Sequence, residues 1–216
     1  MREQVTRVFL VRHGETEWNA GRTFQGQRDS QLTPRGLRQA AELADRLAGE
    51  GVEFIYSSDL GRAANTARVV GERLGLAVSL APMLREIDCG LWTGLSYDEV
   101  AARWPEEFDN WRTRPHLHRM PKGESVAEVQ QRGMAFLEEA RRRHPGATTC
   151  LVTHNTIVKT VLSGLQGQPL SQLWEGVHQV NCAVNLVEYQ GDEPEIMEIC
   201  SIFHLSELGS GGISIV

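Results

Sequence analysis

Lysine is almost missing from this chain: Lys122 and Lys159 are the only two among 22 basic residues. Genome base composition accounts for such a bias, so the abundance of arginine alone carries no argument for phosphate binding; position has to. An excess of positive charge is also lacking. With 28 acidic side chains, the formal net charge is −6, which argues against a nucleic-acid partner or an anionic membrane surface, because both need a basic face. Any anion must be met by a few placed cations. Long apolar runs are missing too. The longest near the N-terminus, Val8-Phe9-Leu10-Val11, is too short for a signal-peptide core or a bilayer span. No Cys-x-x-Cys occurs, and Cys89, Cys150, Cys182 and Cys200 are separated by 61, 32 and 18 positions. A disulfide framework or zinc ribbon is therefore not expected; buried, reduced thiols in the cytoplasm are. Finally, no repeat and no linker rich in glycine, serine or proline divides the chain, so residues 1–216 are expected to form one domain.

What is present is an alternation of strands and helices. Val5–Val11 is apolar and β-rich, and ends at Arg12-His13-Gly14. Thr33-Pro34 reads as an N-cap with proline at the first helical position, followed by apolar residues at helical spacing from Leu37 to Leu47. A short strand at Phe54-Ile55-Tyr56 leads into Ser57-Ser58 and a second helix from Leu60 to Leu74. Ala77–Ala81 reads as a third strand. Capping boxes at Ser96 and Ser125 open further helices, the second running to His144. Thr148–Thr153 is a strand that delivers His154 ahead of a helix to Leu165, and a hairpin turns around Gly191-Asp192. The last residues, Leu208 to Val216, contain three glycines and are expected to be loose. This order predicts the α/β class, a three-layer α/β/α sandwich around a mostly parallel sheet.

In such sheets ligands bind beyond the carboxyl ends of the strands. Three strand ends here supply Arg12 with His13, Arg62 shortly after Ser58, and His154, while the segment after the third strand supplies Glu86. Two arginines, two histidines and one carboxylate suit acid–base chemistry on an anion. Arg12 and Arg62 would hold a phosphoryl group bidentately. A neutral His13 would be the nucleophile, with Gly14 beside it leaving room for the substrate, and His154 would be the charged histidine that hydrogen-bonds the group in transfer. Glu86 would protonate the leaving oxygen and later take a proton from water.

The run Leu10-Val11-Arg12-His13-Gly14-Glu15-Thr16-Glu17-Trp18-Asn19 closely resembles the signature of the histidine phosphatase superfamily, whose fold is phosphoglycerate mutase-like. The resemblance continues in order through Phe24-Gln25-Gly26-Gln27-Arg28-Asp29, Leu32–Gly36, Ser57–Ala63, Leu84-Arg85-Glu86, Gly90–Gly94, Gly123-Glu124-Ser125 and Val152-Thr153-His154. It implies that His13 becomes phosphohistidine, that Arg12, Arg62 and His154 hold the phosphoryl group, and that Glu86 is the proton donor and acceptor. Asn19, Gln25 and Gly26 match the loop lining the phosphate pocket. Asn155 stands where the family commonly has glycine; at a helix N-terminus it would cap the helix or touch the ligand.

The resemblance implies a small phosphorylated metabolite as partner, no metal and no cofactor. Glu86-Ile87-Asp88-Cys89-Gly90-Leu91-Trp92 and the short excursion at about 94–124, the expected specificity insert, are similar to the phosphatase branches rather than the cofactor-dependent mutases. Metal-independent phosphoserine phosphatases and broad-specificity phosphatases are the nearest groups, although Cys89 replaces a substrate-binding histidine of the former. The alternatives are a phosphoglycerate mutase, a metallohydrolase built on His13, Glu86, Asp88 and His154, and a non-catalytic phospho-ligand module. Trp92, Trp104, Trp111 and Trp174 would line the cleft or pack beneath it, His116 and His118 would sit at the surface or in the substrate pocket, and an exposed apolar face would support a homodimer.

Overall fold

The computed structural model describes residues 5–176 and 178–207; the glycine-rich segment from Leu208 onward lies outside the described residues. In chain order the elements are β1 (Thr6–Arg12), α1 (Glu17–Ala20), α2 (Pro34–Leu47), β2 (Phe54–Ser57), α3 (Gly61–Leu74), β3 (Val78–Leu80), α4 (Tyr97–Arg103), α5 (Pro105–Thr113), α6 (Val126–Arg143), β4 (Thr148–Thr153), α7 (Asn155–Leu165), β5 (Val184–Gln190) and β6 (Glu193–Ser201). Six strands form one sheet in the order β3-β2-β4-β1-β5-β6. The β2–β3, β2–β4 and β1–β4 pairs are parallel, and the hairpin strands β5 and β6 are antiparallel.

Local signals explain most boundaries. Thr33 Oγ1 accepts from the amide of Gly36 at 3.0 Å and starts α2 with Pro34 behind it. Ser96 with Glu99 and Ser125 with Glu128 form the reciprocal boxes that open α4 and α6. Thr16 does the same for α1 with Asn19 as its partner, a short helix that the apolar pattern does not announce. Pro105 does not merely interrupt α4 but serves as the first residue of a separate helix, α5.

Strand alternation sorts the core into two layers. Phe9, Val11, Cys150 and Val152 face α2 and α3, where they meet Leu43, Leu47, Ala63 and Val70. Val8, Leu10 and Leu151 point the other way, toward Leu137 on α6 and Ile157 and Val161 on α7. Both faces of the sheet are thus covered, and the helices of residues 97–113 pack on the second face through Val100 and Trp111.

The register decides what meets at the strand ends. Arg12 lies beside Thr153, so the next residues, His13 and His154, become neighbours, and the amide of His13 donates to Thr153 O at 2.9 Å. The loop after β1 is pressed against the start of α2. A Cβ on Gly14 would stand 2.5 Å from Gly36 O, and one on Gly36 would stand 2.0 Å from Glu15 O. Gly14→Ala is therefore expected to lower the unfolding free energy by about 1–3 kcal/mol, read as a lower urea midpoint at unchanged m-value.

Candidate active site

Beyond the carboxyl ends of β1, β2 and β4 opens a cleft of about 550 Å³, its open mouth included. Arg12, His13, Asn19, Gln25, Gly26, Arg62, Glu86 and Asn155 all line it, so eight of the nine residues singled out from sequence share one wall. The ninth, His154, lies immediately behind. It is fully buried, its ring edge-on to that of His13 with centroids 5.1 Å apart.

The tautomer of His13 follows from its neighbours. Arg62 Nε, which can only donate, stands 3.2 Å from His13 Nε2, so that nitrogen carries the lone pair. Nδ1 then holds the proton and donates to Gly14 O at 2.7 Å. Burial, with Arg62 and Arg12 adding repulsion, pushes the pKa of His13 well below the usual histidine value. The ring is neutral with Nε2 turned toward Arg62.

Arg62 is 1% exposed and nearly spent. Besides His13 it donates to Arg28 O at 2.7 Å, to Asp29 Oδ1 at 3.1 Å and to Gly26 O at 2.8 Å. Four of its five N–H groups are thus engaged, so it cannot offer the free bidentate fork expected from sequence; it supplies charge and a single remaining donor. Arg12 has more to give. One terminal nitrogen donates to Gln179 O, while its buried Nε has no partner.

His154 departs from expectation in its charge. Both of its ring nitrogens are buried without a partner, and burial, together with Arg62, His13 and Arg12, drives its pKa well below the usual value. These surroundings favour a neutral ring rather than the charged histidine expected from sequence. Gly14 also has a different reason from the one expected: the space its missing side chain leaves is filled by Gly36 of α2, not by substrate. Asn155 is the first residue of α7 and His154 occupies the cap position, so Asn155 lines the cleft without capping.

Glu86 is held by amides. Its Oε1 accepts from Ile87 at 2.8 Å and from Thr156, in the first turn of α7, at 3.3 Å. Asn19 directs Oδ1 to Thr16 and Asn181, which leaves its NH2 for the cleft. Gly26 needs to be glycine: φ is +51° and a Cβ would meet the amide of Cys89 at 2.9 Å. Asp88 accepts from the amide of Gly90 at 2.9 Å, and among the described residues no three His, Cys, Asp or Glu side chains form a metal-binding group.

Several residues that shape this site went unassigned from sequence. Asp29 accepts from the amides of Gly61 and Arg62 at 2.7 and 3.3 Å, capping α3 from a loop more than 30 residues upstream while pairing with the Arg62 guanidinium. Thr66 Oγ1 accepts from the Gly14 amide and donates to Arg62 O. Arg132 on α6 donates to Met83 O and Glu86 O and to both carboxylate oxygens of Glu124, whose Oε2 also accepts from the Asp88 amide. Asp29 and Glu124 both stand inside blocks of the family resemblance, but nothing local in them names the partner. Of the four tryptophans expected in or under the cleft, Trp111 and Trp174 line it; Trp92 is fully buried and Trp104 packs against the core. His116 is exposed, whereas His118 is buried, its ring stacked 5.3 Å from that of Trp92.

The sequence model of the histidine phosphatase superfamily (branch 1) matches residues 8–201. The chain is 35% identical over 203 residues to phosphoserine phosphatase 1 of Hydrogenobacter thermophilus, covering 94% of this chain and 96% of that one. It is 38% identical over 187 residues to the protein of Cronobacter sakazakii named "Probable phosphoglycerate mutase GpmB", covering 85% of each. Among solved structures, Bacillus stearothermophilus YhfR superposes with a TM-score of 0.90 at 34% identity, over 93% of this chain and all of that one. No helix among the described residues is long and apolar enough to cross a membrane.

Two buried neutral histidines make stability depend on pH with a definite sign. Unfolded, each ring takes up a proton near its ordinary value of 6.5; folded, it does not. Their contribution is complete above that pH and is lost as pH falls, by up to about 1.4 kcal/mol per pH unit for each ring. Urea unfolding over a pH series below 6.5 should show this slope, and His154→Gln should flatten it by about one proton's worth.

Proposed function

Because the chain belongs to branch 1 of the histidine phosphatase superfamily, we propose that it is a phosphomonoester hydrolase for a small metabolite, working through a phosphohistidine on His13. The observation that carries this reading is a set of unspent hydrogen-bonding groups: Arg12 Nε and both ring nitrogens of His154 are buried without partners next to the His13 ring. Buried polar groups are rarely left unpaired, and the oxygens of a phosphoryl group would supply the missing acceptors.

In the first step His13 Nε2, held in line by its Nδ1–H bond to Gly14, attacks phosphorus, which takes the place of the Arg62 N–H before the lone pair. The phosphorus–oxygen ester bond breaks, and Glu86 gives its proton to the leaving alcohol. In the second step Glu86 takes a proton from water, whose oxygen attacks phosphorus; the P–N bond breaks and inorganic phosphate leaves. Arg12 and Arg62 stabilise charge on the equatorial oxygens. Beside the arriving dianion a protonated His154 gains an anionic partner that offsets the burial and repulsion keeping the ring neutral, so His154 takes up a proton from solvent and becomes a donor. Asn19, Gln25, Gly26 and Asn155 complete the rim around the phosphoryl group. Glu86-Ile87-Asp88-Cys89-Gly90 and the short excursion after Gly94 support water, rather than a second sugar acid, as the final acceptor.

The alcohol end of the cleft has a different character. Phe24, Tyr97, Trp111 and Trp174 line it, and among the described residues Arg12, Arg62 and Glu86 are the charged groups lining the cleft. The ammonium and carboxylate of phosphoserine, on which the Hydrogenobacter thermophilus relative is named to act, would meet rings rather than ions there. This favours broad specificity toward esters with an apolar or aromatic alcohol.

Phosphate release in EDTA, across aryl phosphates, phosphoserine and 3-phosphoglycerate, tests the reading. His13→Ala should abolish turnover with the fold intact, and acid-labile ³²P labelling of that variant would remove His13 from the nucleophile's role. Glu86→Gln should slow alkyl phosphates by about 10²-fold or more and aryl phosphates far less, because an aryl oxide leaves without full protonation; equal losses would take the acid role from Glu86.

A further inference from the structure

Lys159, one of the two lysines, sits on the second turn of α7, one turn beyond the residues that line the cleft. It is 7% exposed. Among the described residues its ammonium has neither a hydrogen-bond acceptor nor a carboxylate partner, and its one recorded contact is the ring of Trp174, 5.3 Å away. The stem is packed away while the ammonium lines a cavity, and an anion that reached it would form a charge-assisted hydrogen bond there. Burial and the nearby Arg12 push its pKa down to about 8.

A cavity separate from the cleft opens beside this lysine, and the two share no lining residue. Lys159, Ser163, Gln172 and Gln179 give it polar walls, Leu173 and Ile199 apolar ones, and no acidic residue lines it. Both oxygens of Gln179 on the cavity wall are already engaged. Gln179 and Asn185 exchange amide hydrogen bonds of 3.1 and 3.0 Å, and Gln179 O accepts from Arg12. These ties also hold the wall in place, so the cavity does not need to be assembled on binding.

We propose that this cavity is a second ligand site, which takes a short-chain aliphatic carboxylate with its carboxylate on Lys159 Nζ and its alkyl group against Leu173 and Ile199. The charge of the ligand follows from the charge of the site. In the cleft two guanidiniums supply two positive charges to a phosphoryl dianion; here a single ammonium matches a monoanion, and the apolar wall gives an alkyl chain a place that inorganic phosphate cannot use. The site is independent of the catalytic reading, because it requires neither His13 nor Glu86.

The scarcity of lysine makes the test direct. Protein labelled with ¹³Cε-lysine gives two lysine side-chain signals, and Lys122→Asn, a change at an exposed position, assigns them. Butyrate is titrated with and without orthovanadate in the cleft, and inorganic phosphate is titrated in parallel. The expected result is a saturable shift of the Lys159 signal with butyrate, present in both conditions, with Lys122 unmoved and phosphate much weaker. Four results would overturn the proposal. They are no saturable shift with butyrate, equal linear drift of both lysines, a butyrate shift that vanadate abolishes, and a stronger response to phosphate than to butyrate. Since the readout is binding rather than turnover, a chain without phosphatase activity would still give a clear answer.

Discussion

The Arg62 guanidinium is 1% exposed and carries a full charge, and much of the site is built to make that burial tolerable. A charge taken out of water costs several kcal/mol unless other groups replace its hydration shell. Gly26 and Arg28 supply carbonyls, Asp29 a carboxylate, and His13 a ring nitrogen. The loop of residues 24–29 is thereby wrapped around the arginine, the first turn of α3 is capped by the same Asp29, and His13 is locked in one tautomer. Each of these would lose its partner if Arg62 moved. A residue that sequence presents as a phosphate clamp is thus also the centre on which the pocket is assembled.

Burial keeps the two histidines neutral, and the surplus of positive charge that Arg62 and Arg12 put at the end of β1 works in the same direction. Among the described residues Arg12 Nε and both ring nitrogens of His154 have no partners, and an anion in the cleft would supply them, while the Thr156 amide in the first turn of α7 is taken by Glu86. Neutral His13 is what a nitrogen nucleophile needs, and neutral His154 can gain a proton when charge arrives. Burial and the same two arginines would thus prepare both rings for the opposite roles proposed for them.

The acid side is positioned by different means. Glu86 lies in a loop with no regular structure, yet that loop is tied down by Arg132 from α6 and by Thr153 Oγ1, which donates to Leu84 O at 2.7 Å. Arg132 is in turn aligned by Glu124 at the end of the 94–124 excursion. The segment that carries Tyr97 and Trp111 is thereby coupled to the proposed proton donor, Glu86. On the proposed mechanism, changes in that segment would reach the proton-transfer step as well as substrate fit.

The sequence by itself determined the class of fold, the order of nearly all the elements, and the five chemical groups with the strand ends that deliver them. Helix caps, alternation along strands and the blocks of family resemblance act over a few residues, so they can be read from a few residues. Tertiary structure decided that Asp29 compensates Arg62, that Gly14 exists for Gly36, that Arg132 fixes the acid loop and that His154 is uncharged. It also decided that Lys159 faces a cavity instead of water. None of these is local: charge compensation, close backbone approach and proton affinity are sums over atoms from segments tens to more than a hundred residues apart. Those segments become neighbours only when the sheet is formed in its register.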